Sequence, residues 1–274
     1  MIRYLLPVEG ATTYLVEPGD DLSGALETIS GAPLVGVDTE TTGAQPYLLS
    51  WRLRTVQVGT ATESWVCPVP DCAAEARALL AAASGRLVAH NASYDAVALS
   101  RGLCVDLPVS TLRDTLILAH LAYPEGVLSD GAGYGLKSLA RRYLGADAGA
   151  PEGALRSLFR SEGWTLAEGW AQVPATALEY VVYAGLDPIL TVRLWDHLAP
   201  ALQDPSLERL ERFERDVQAT TVAMSTAGLL VDLPYTEGVR DSLLADAERY
   251  ASVAADYGVA SVNAPAQIAA ALEA

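Results

Sequence analysis

Pro33-Leu34-Val35-Gly36-Val37-Asp38-Thr39-Glu40-Thr41-Thr42-Gly43 is the stretch on which the fold turns. It begins as a β-rich apolar run and ends in acids. Side chains of a strand alternate between its faces, so the i, i+2 spacing of Asp38 and Glu40 puts both carboxylates on one face. Two such groups beside a core strand lose hydration and repel each other unless a cation neutralises them. The plainer alternative is a strand end running into the polar turn Thr41-Thr42-Gly43, with both acids in water.

Outward from this strand, Trp51, Leu53 and Thr55 alternate with Arg52 and Arg54, which predicts an antiparallel strand over residues 50–58. Residues 64–69 fit a third strand, 73–83 a helix, 86–90 a short apolar strand and 104–107 a brief one. Upstream, strands are expected near 3–6 and 13–16, with a helix over 21–29. Helical spacing runs through 111–123, and the glycine-rich 124–135 reads as a loop. Further helices are expected over 136–144, 151–161 and 164–170, then 174–185 and 188–197 with a break at Gly185. A boundary is placed at residues 200–205, separating 1–200 from a helical extension over 201–274. In that extension Leu207, Leu210, Phe213, Val217 and Val222 share a helix face. The order of elements predicts an α/β fold, a mixed sheet flanked by helices and followed by the helical extension. A dinucleotide-binding fold is excluded, because no glycine-rich turn follows the first core strand.

The chain has 274 residues and is 51% hydrophobic, which suits one large domain, or one domain with an extension. No apolar run approaches the roughly 18 residues of a membrane span, and the N-terminus has no extended apolar segment of the secretory kind. Three cysteines (Cys67, Cys72, Cys104) lack metal-ligand spacing, and a cytoplasmic setting is expected. The net charge is −16, from 34 acids against 17 arginines and a single lysine, Lys137. Alone, that charge argues against nucleic acid, whose phosphates call for Lys and Arg. Divalent cations with a local basic patch remove the objection.

Two more acids stand out. In His90-Asn91-Ala92-Ser93-Tyr94-Asp95, Asn91 is a candidate N-cap for a helix that carries Asp95 about a turn later. In Tyr183-Ala184-Gly185-Leu186-Asp187, the tyrosine and the aspartate share a helix face, and Asp187-Pro188 reads as a cap that opens a new helix. Each group alone has an ordinary structural explanation. Together they set four acids at the edges of core elements, in the order Asp-x-Glu, Asp, Asp. Carboxylate oxygen suits Mg²⁺ or Mn²⁺, and two such ions about 4 Å apart clamp a phosphodiester for in-line attack.

The three segments Val37 to Gly43, Asn91 to Asp95 and Tyr183 to Asp187 resemble the exonuclease motifs of the DEDD superfamily, and Tyr183 points to its DEDDy branch. Asp114-Thr115 and Gly135-Leu136-Lys137-Ser138-Leu139-Ala140 are similar to the connecting segments of proofreading domains in family A DNA polymerases. Met224 to Asp232 and Val262 to Ile268 resemble the start of the thumb in those polymerases. The resemblance implies a ribonuclease H-like fold and a 3′–5′ exonuclease acting on single-stranded or frayed DNA 3′ ends. It implies Asp38, Glu40, Asp95 and Asp187 as ligands of two Mg²⁺ or Mn²⁺ ions. Tyr183 and Glu40 would orient the nucleophile, with Thr41, Thr42, Asn91 and Tyr94 near the last nucleotides. Lys137 is expected to meet the strand's backbone or solvent. No polymerase motif is present, so a polymerase domain or chain is the expected partner. An RNA-processing exonuclease of the ribonuclease D type and a non-catalytic docking subunit are the alternatives.

Overall fold

The computed structural model describes residues 1–124, 133–145 and 148–273. The strands are β1 (Ile2–Leu5), β2 (Thr12–Leu15), β3 (Val35–Thr41), β4 (Leu53–Gly59), β5 (Glu63–Pro68), β6 (Leu87–Ala89) and β7 (Arg113–Asp114). They form one mixed sheet in the order β1-β2-β5-β4-β3-β6-β7. The pairs β3–β4 and β4–β5 are antiparallel, while β3–β6 and β6–β7 are parallel.

Helices cover both faces. On one side α1 (Ser23–Gly31), α2 (Ala73–Ala82) and α3 (Ala92–Leu103) bury Ile29, Leu79, Leu99 and Leu103 against Val35, Val37, Val56 and Val58. On the other lie α4 (Thr115–Ala122), α5 (Leu136–Leu144) and α8 (Leu178–Leu198), whose Leu118, Leu139, Leu186 and Ile189 share a second core. Helices α6 (Ala150–Ser161) and α7 (Leu166–Gln172) gather Leu155 and Phe159 around Tyr180 of α8. The alternation of β3 therefore has a direction. Val35 and Val37 face the first core, and Gly36 faces α8.

Three sequence expectations are corrected here. The break at Gly185 does not occur, and α8 is a single helix of 21 residues with Pro188 inside it. A proline in a helix interior costs about 3 kcal/mol. Burial of Leu186, Ile189, Leu190 and Leu194 on the same helix exceeds that, at roughly 1.5–3 kcal/mol per side chain. Gly185 is a contact residue: its added Cβ would lie 2.1 Å from Thr13 Oγ1, and its carbonyl accepts from Ser64 Oγ at 2.6 Å. Asp187 is thus not a cap but a mid-helix residue.

Residues 104–107 form no strand. Cys104 closes α3 in a left-handed conformation (φ 55°) and a 3-10 turn follows over Val109–Thr111. The strand lies at β7 instead, two residues defined only by pairing with Val88 and Ala89. Most of the expected loop at 124–135 lies outside the described residues.

Helix α9 (Pro205–Ala227) carries the apolar face read from the sequence. On that face Leu210, Phe213 and Val217 are exposed. The inward side is polar: Glu211 is buried and paired with Arg215, whose guanidinium also donates to the Ser110 carbonyl at 2.9 Å. Two compact units follow from the packing, Met1–Thr226 and Ala227–Ala274, so that α9 groups with the sheet. The second unit holds α10 (Leu233–Asp256), opened by the Asp232 side chain, and α11 (Pro265–Glu273).

Candidate active site

The site begins with the backbone of β3. Asp38 and Glu40 follow Gly36 at two-residue steps and so share its α8-facing side. Gly36 lets the helix in: a Cβ there would lie 2.2 Å from the Pro188 carbonyl oxygen. That close approach sets Asp187, one residue earlier, against the two strand acids. Carboxylate oxygens of Asp38, Glu40 and Asp187 all lie within 4.8 Å of one another. The β3–β4 register shifts between Glu40 and Thr41, a bulge that re-aims the strand end where the site opens.

Asp95 stands apart from this triad. It is buried on α3 and accepts from Thr39 Oγ1 at 2.7 Å, Thr39 pointing away from α8. Its position depends on the start of α3. Asn91 occupies the N-cap position with φ 70°, and its side chain makes no capping bond, against expectation. Asp114 caps the turn instead. Its carboxylate accepts from the backbone N–H of Asn91 (3.0 Å), Ala92 (2.8 Å) and Leu116 (2.8 Å), and from Gln218 Nε2 of α9 (2.7 Å). A carboxylate at two helix N-termini satisfies orphan donors and meets the positive ends of both dipoles. Asp114-Thr115 stood in the sequence only as part of a family segment, and its role needed the fold.

The other expected site residues fall around these acids. Thr41 Oγ1 and Tyr94 Oη are 2.6 Å apart, and Tyr94 Oη also donates to the Gly43 carbonyl. Thr42 turns away to accept from the Arg52 backbone N–H. Asn91 and Tyr94 line a groove of ≈ 280 Å³ whose opposite wall is Thr221, Val222 and Ser225 of α9. Lys137, expected at the DNA backbone or in solvent, turns into the acid cluster. Its ammonium is ion-paired with Asp187 and lies 4.7 Å from the centre of the Tyr183 ring.

Tyr183 packs beside Trp170 at 5.4 Å between ring centres. Trp164 and Trp170 pack around Phe159 and Tyr180. Arg54 fastens that segment to the sheet, lying over the Tyr180 ring and donating to the backbone carbonyls of Trp170 and Val173. Neither Arg54 nor Trp170 carried a motif. The three histidines are scattered: His90 bonds to Thr115, His120 stacks on Tyr134, and His197 on Tyr143.

Burial dominates the electrostatics. It pushes the Asp38 carboxyl up to about 6, against the pull of Lys137. Glu40 is raised well above the usual range by burial and then by the Asp38 charge, and Asp95 is raised by burial and then by Asp38. Burial lowers Lys137 to about 8 and drives the Tyr183 phenol strongly upward, so Tyr183 is a neutral hydrogen-bonding group at neutral pH. Among the described residues, Asp38 Oδ2 is buried without a hydrogen-bond partner. An orphaned carboxylate oxygen among crowded acids is the donor set that a hard divalent cation fits.

The chain is similar to known exonuclease and polymerase proteins. A 3′–5′ exonuclease family model matches residues 15–203. The DNA polymerase of Mycobacterium phage D29 is 32% identical over all of this chain, which spans 46% of the phage protein. The POL domain of Pol1 from M. smegmatis, in complex with DNA primer-template and dNTP, superposes with a TM-score of 0.59 at 22% identity, covering 93% of this chain and 39% of that one. Brucella melitensis NrnC with bound Mg²⁺ superposes at 0.55 and 17% identity, covering 79% and 92%. These two likenesses bear on the fold, a ribonuclease H-like mixed sheet flanked by helices. By the extent of the family match and the phage relative, this chain belongs to the 3′–5′ exonuclease domain family found in phage DNA polymerases.

Proposed function

We propose that the chain removes nucleotides from single-stranded or frayed 3′ ends of DNA, releasing nucleoside monophosphates, as the proofreading part of a family A polymerase. The observation that carries this reading is the meeting of Asp38, Glu40 and Asp187 within 4.8 Å around an unpartnered buried carboxylate oxygen. Asp38, Glu40 and Asp187 would hold two Mg²⁺ or Mn²⁺ ions, with Asp95 serving the second beside Asp38. Bound there, the ions supply a nucleophile at neutral pH and neutralise charge on the phosphate. Glu40 and the neutral Tyr183 hydroxyl orient the attacking water. Thr41, Tyr94 and Asn91 hold the terminal nucleotides along the groove they share with α9, and Thr42 supports the turn behind them. The cysteines, two of them buried thiols, fit a reducing cytoplasm.

For residues 201–274 we propose the leading part of a polymerase thumb. The full-length coverage by the phage polymerase supports this, as does the exposed stripe of Leu210, Phe213 and Val217, which suits a polymerase partner. The test is a gel assay with 5′-labelled single-stranded DNA and RNA of one sequence, in Mg²⁺, Mn²⁺ or EDTA. A metal-dependent ladder shortening from the DNA 3′ end is expected. Asp38→Asn and Asp187→Asn should each reduce the rate by at least about a thousandfold without unfolding the protein. Faster cutting of RNA would point to a ribonuclease D-type role, and no ladder with any metal to a docking subunit.

A further inference from the structure

Lysine is used once in this chain, against seventeen arginines, and that lysine stands in the acid cluster. Lys137 sits in the first turn of α5, whose Leu136, Leu139 and Ala140 are buried and hold its backbone in place. Its ammonium contacts Asp187 and lies over Tyr183, and the charges of Asp38 and Glu40 act on it as well. The side chains of the pair are only 16% and 10% exposed. Nearly every other basic site here was met with a guanidinium, a planar fork of five donors. An ammonium is a compact point charge on a flexible four-carbon stem. Among carboxylates gathered within 4.8 Å, the compact charge is the one that fits.

The triad then sets three carboxyl groups against one ammonium. A divalent ion held by the three acids would draw on Asp187, whose Oδ1 the ammonium contacts. We propose that Lys137 is the resident counter-cation of the metal-free site: it holds Asp187 and the neighbouring acids in their working arrangement, and it yields Asp187 when a divalent ion binds. The flexible stem permits the exchange while α5 stays where it is, and the Tyr183 face remains as a resting place for the released ammonium. This rests on the metal-dependent reading above and assigns Lys137 a positioning role in place of a contact with the DNA backbone.

The single lysine makes the exchange directly observable. In the full chain labelled with ¹³Cε-lysine, one lysine resonance is expected. Saturating Mg²⁺ should move it, and metal-free Asp187→Asn should move it in the same direction. Lys137→Gln should lower the melting temperature in EDTA by roughly 5–10 °C, because leaving the gathered acids without their cation costs more than burying the ammonium does. The same variant should bind Mg²⁺ about tenfold more tightly by calorimetry, since the competing cation is gone. A resonance that stays put at Mg²⁺ concentrations that bind overturns the exchange, and needs no variant to fold. A Lys137→Gln protein that melts like wild type in EDTA, with only the KM for DNA raised, returns Lys137 to the DNA backbone. If neither Mg²⁺ nor Mn²⁺ binds and no ladder forms, the metal-dependent reading fails together with this one. Binding and a ladder with an unmoved resonance overturn this one alone.

Discussion

At the residue scale the chemistry is a conflict between burial and charge. Asp38 titrates near 6 in the folded chain and near the ordinary 3.8 when unfolded. Between those values the folded protein binds the extra proton, so the Asp38 contribution to metal-free stability falls as pH rises from about 4 to about 6. Asp38→Asn removes the effect. In chelator at pH 7 it should be the more stable protein, by up to about 3 kcal/mol, and the advantage should vanish near pH 4. Melting temperatures of both proteins across that range would show it, and a difference independent of pH would contradict it. Lys137 acts on the opposite limb: its value is lowered from 10.5 to about 8, so its contribution to stability rises with pH between those points. The cluster of acids was partly legible in the sequence because one spacing is short: Asp38 and Glu40 sit two apart on one strand. The place of Lys137 was not, because its partner lies fifty residues further along the chain.

At the level of elements, α8 and β3 make the site by touching where side chains are missing. Gly36→Ala would drive a Cβ into the Pro188 backbone, and backbone cannot rotate away. Overpacking of this kind costs about 1–3 kcal/mol. The expected result is a melting temperature several degrees lower, with an exonuclease rate reduced more than tenfold as Asp187 shifts from its partners. Asp114→Ala tests the second element junction. It strands the N–H groups of Asn91 and Ala92, at about 1–3 kcal/mol each, and frees the start of the helix that carries Asp95. Loss of activity with preserved stability would separate the positioning role from the structural one, and no change in either would make Asp114 dispensable to the site. Helix α8 reads locally as two helices because Gly185 and Pro188 carry strong signals for a break. Burial along the whole helix outweighs those signals, and it is invisible to a local pattern.

For the whole molecule, the informative boundary is the one after α9. Gln218 bonds to Asp114, so a helix more than a hundred residues away helps to shape the turn that starts at Asn91. A chain ending after Thr226 should keep the melting temperature and exonuclease rate of the full chain. One ending after residue 204 should lose stability and cut more slowly, because Asp114 loses its partner and the groove loses the wall made by Thr221, Val222 and Ser225. Equal behaviour of the two truncations would place the working boundary near residue 200 instead. The net charge of −16 bears on substrate capture as well. With so few cations near the groove, DNA binding should depend on divalent ions far more steeply than on monovalent salt, measurable as KM against each.

By itself the sequence determined the α/β order of elements, the strand acids, the motif tyrosine and the absence of a dinucleotide turn. All of these are local patterns, because strand alternation and helix spacing are properties of a few consecutive residues. Only the tertiary structure decided which face of α9 turns inward, that α8 runs unbroken, that Asp114 caps the motif helix, and that the one lysine rests on Asp187. Those outcomes depend on burial and on partners brought together across long separations, and no local pattern encodes the free energy of a contact that only the finished fold creates.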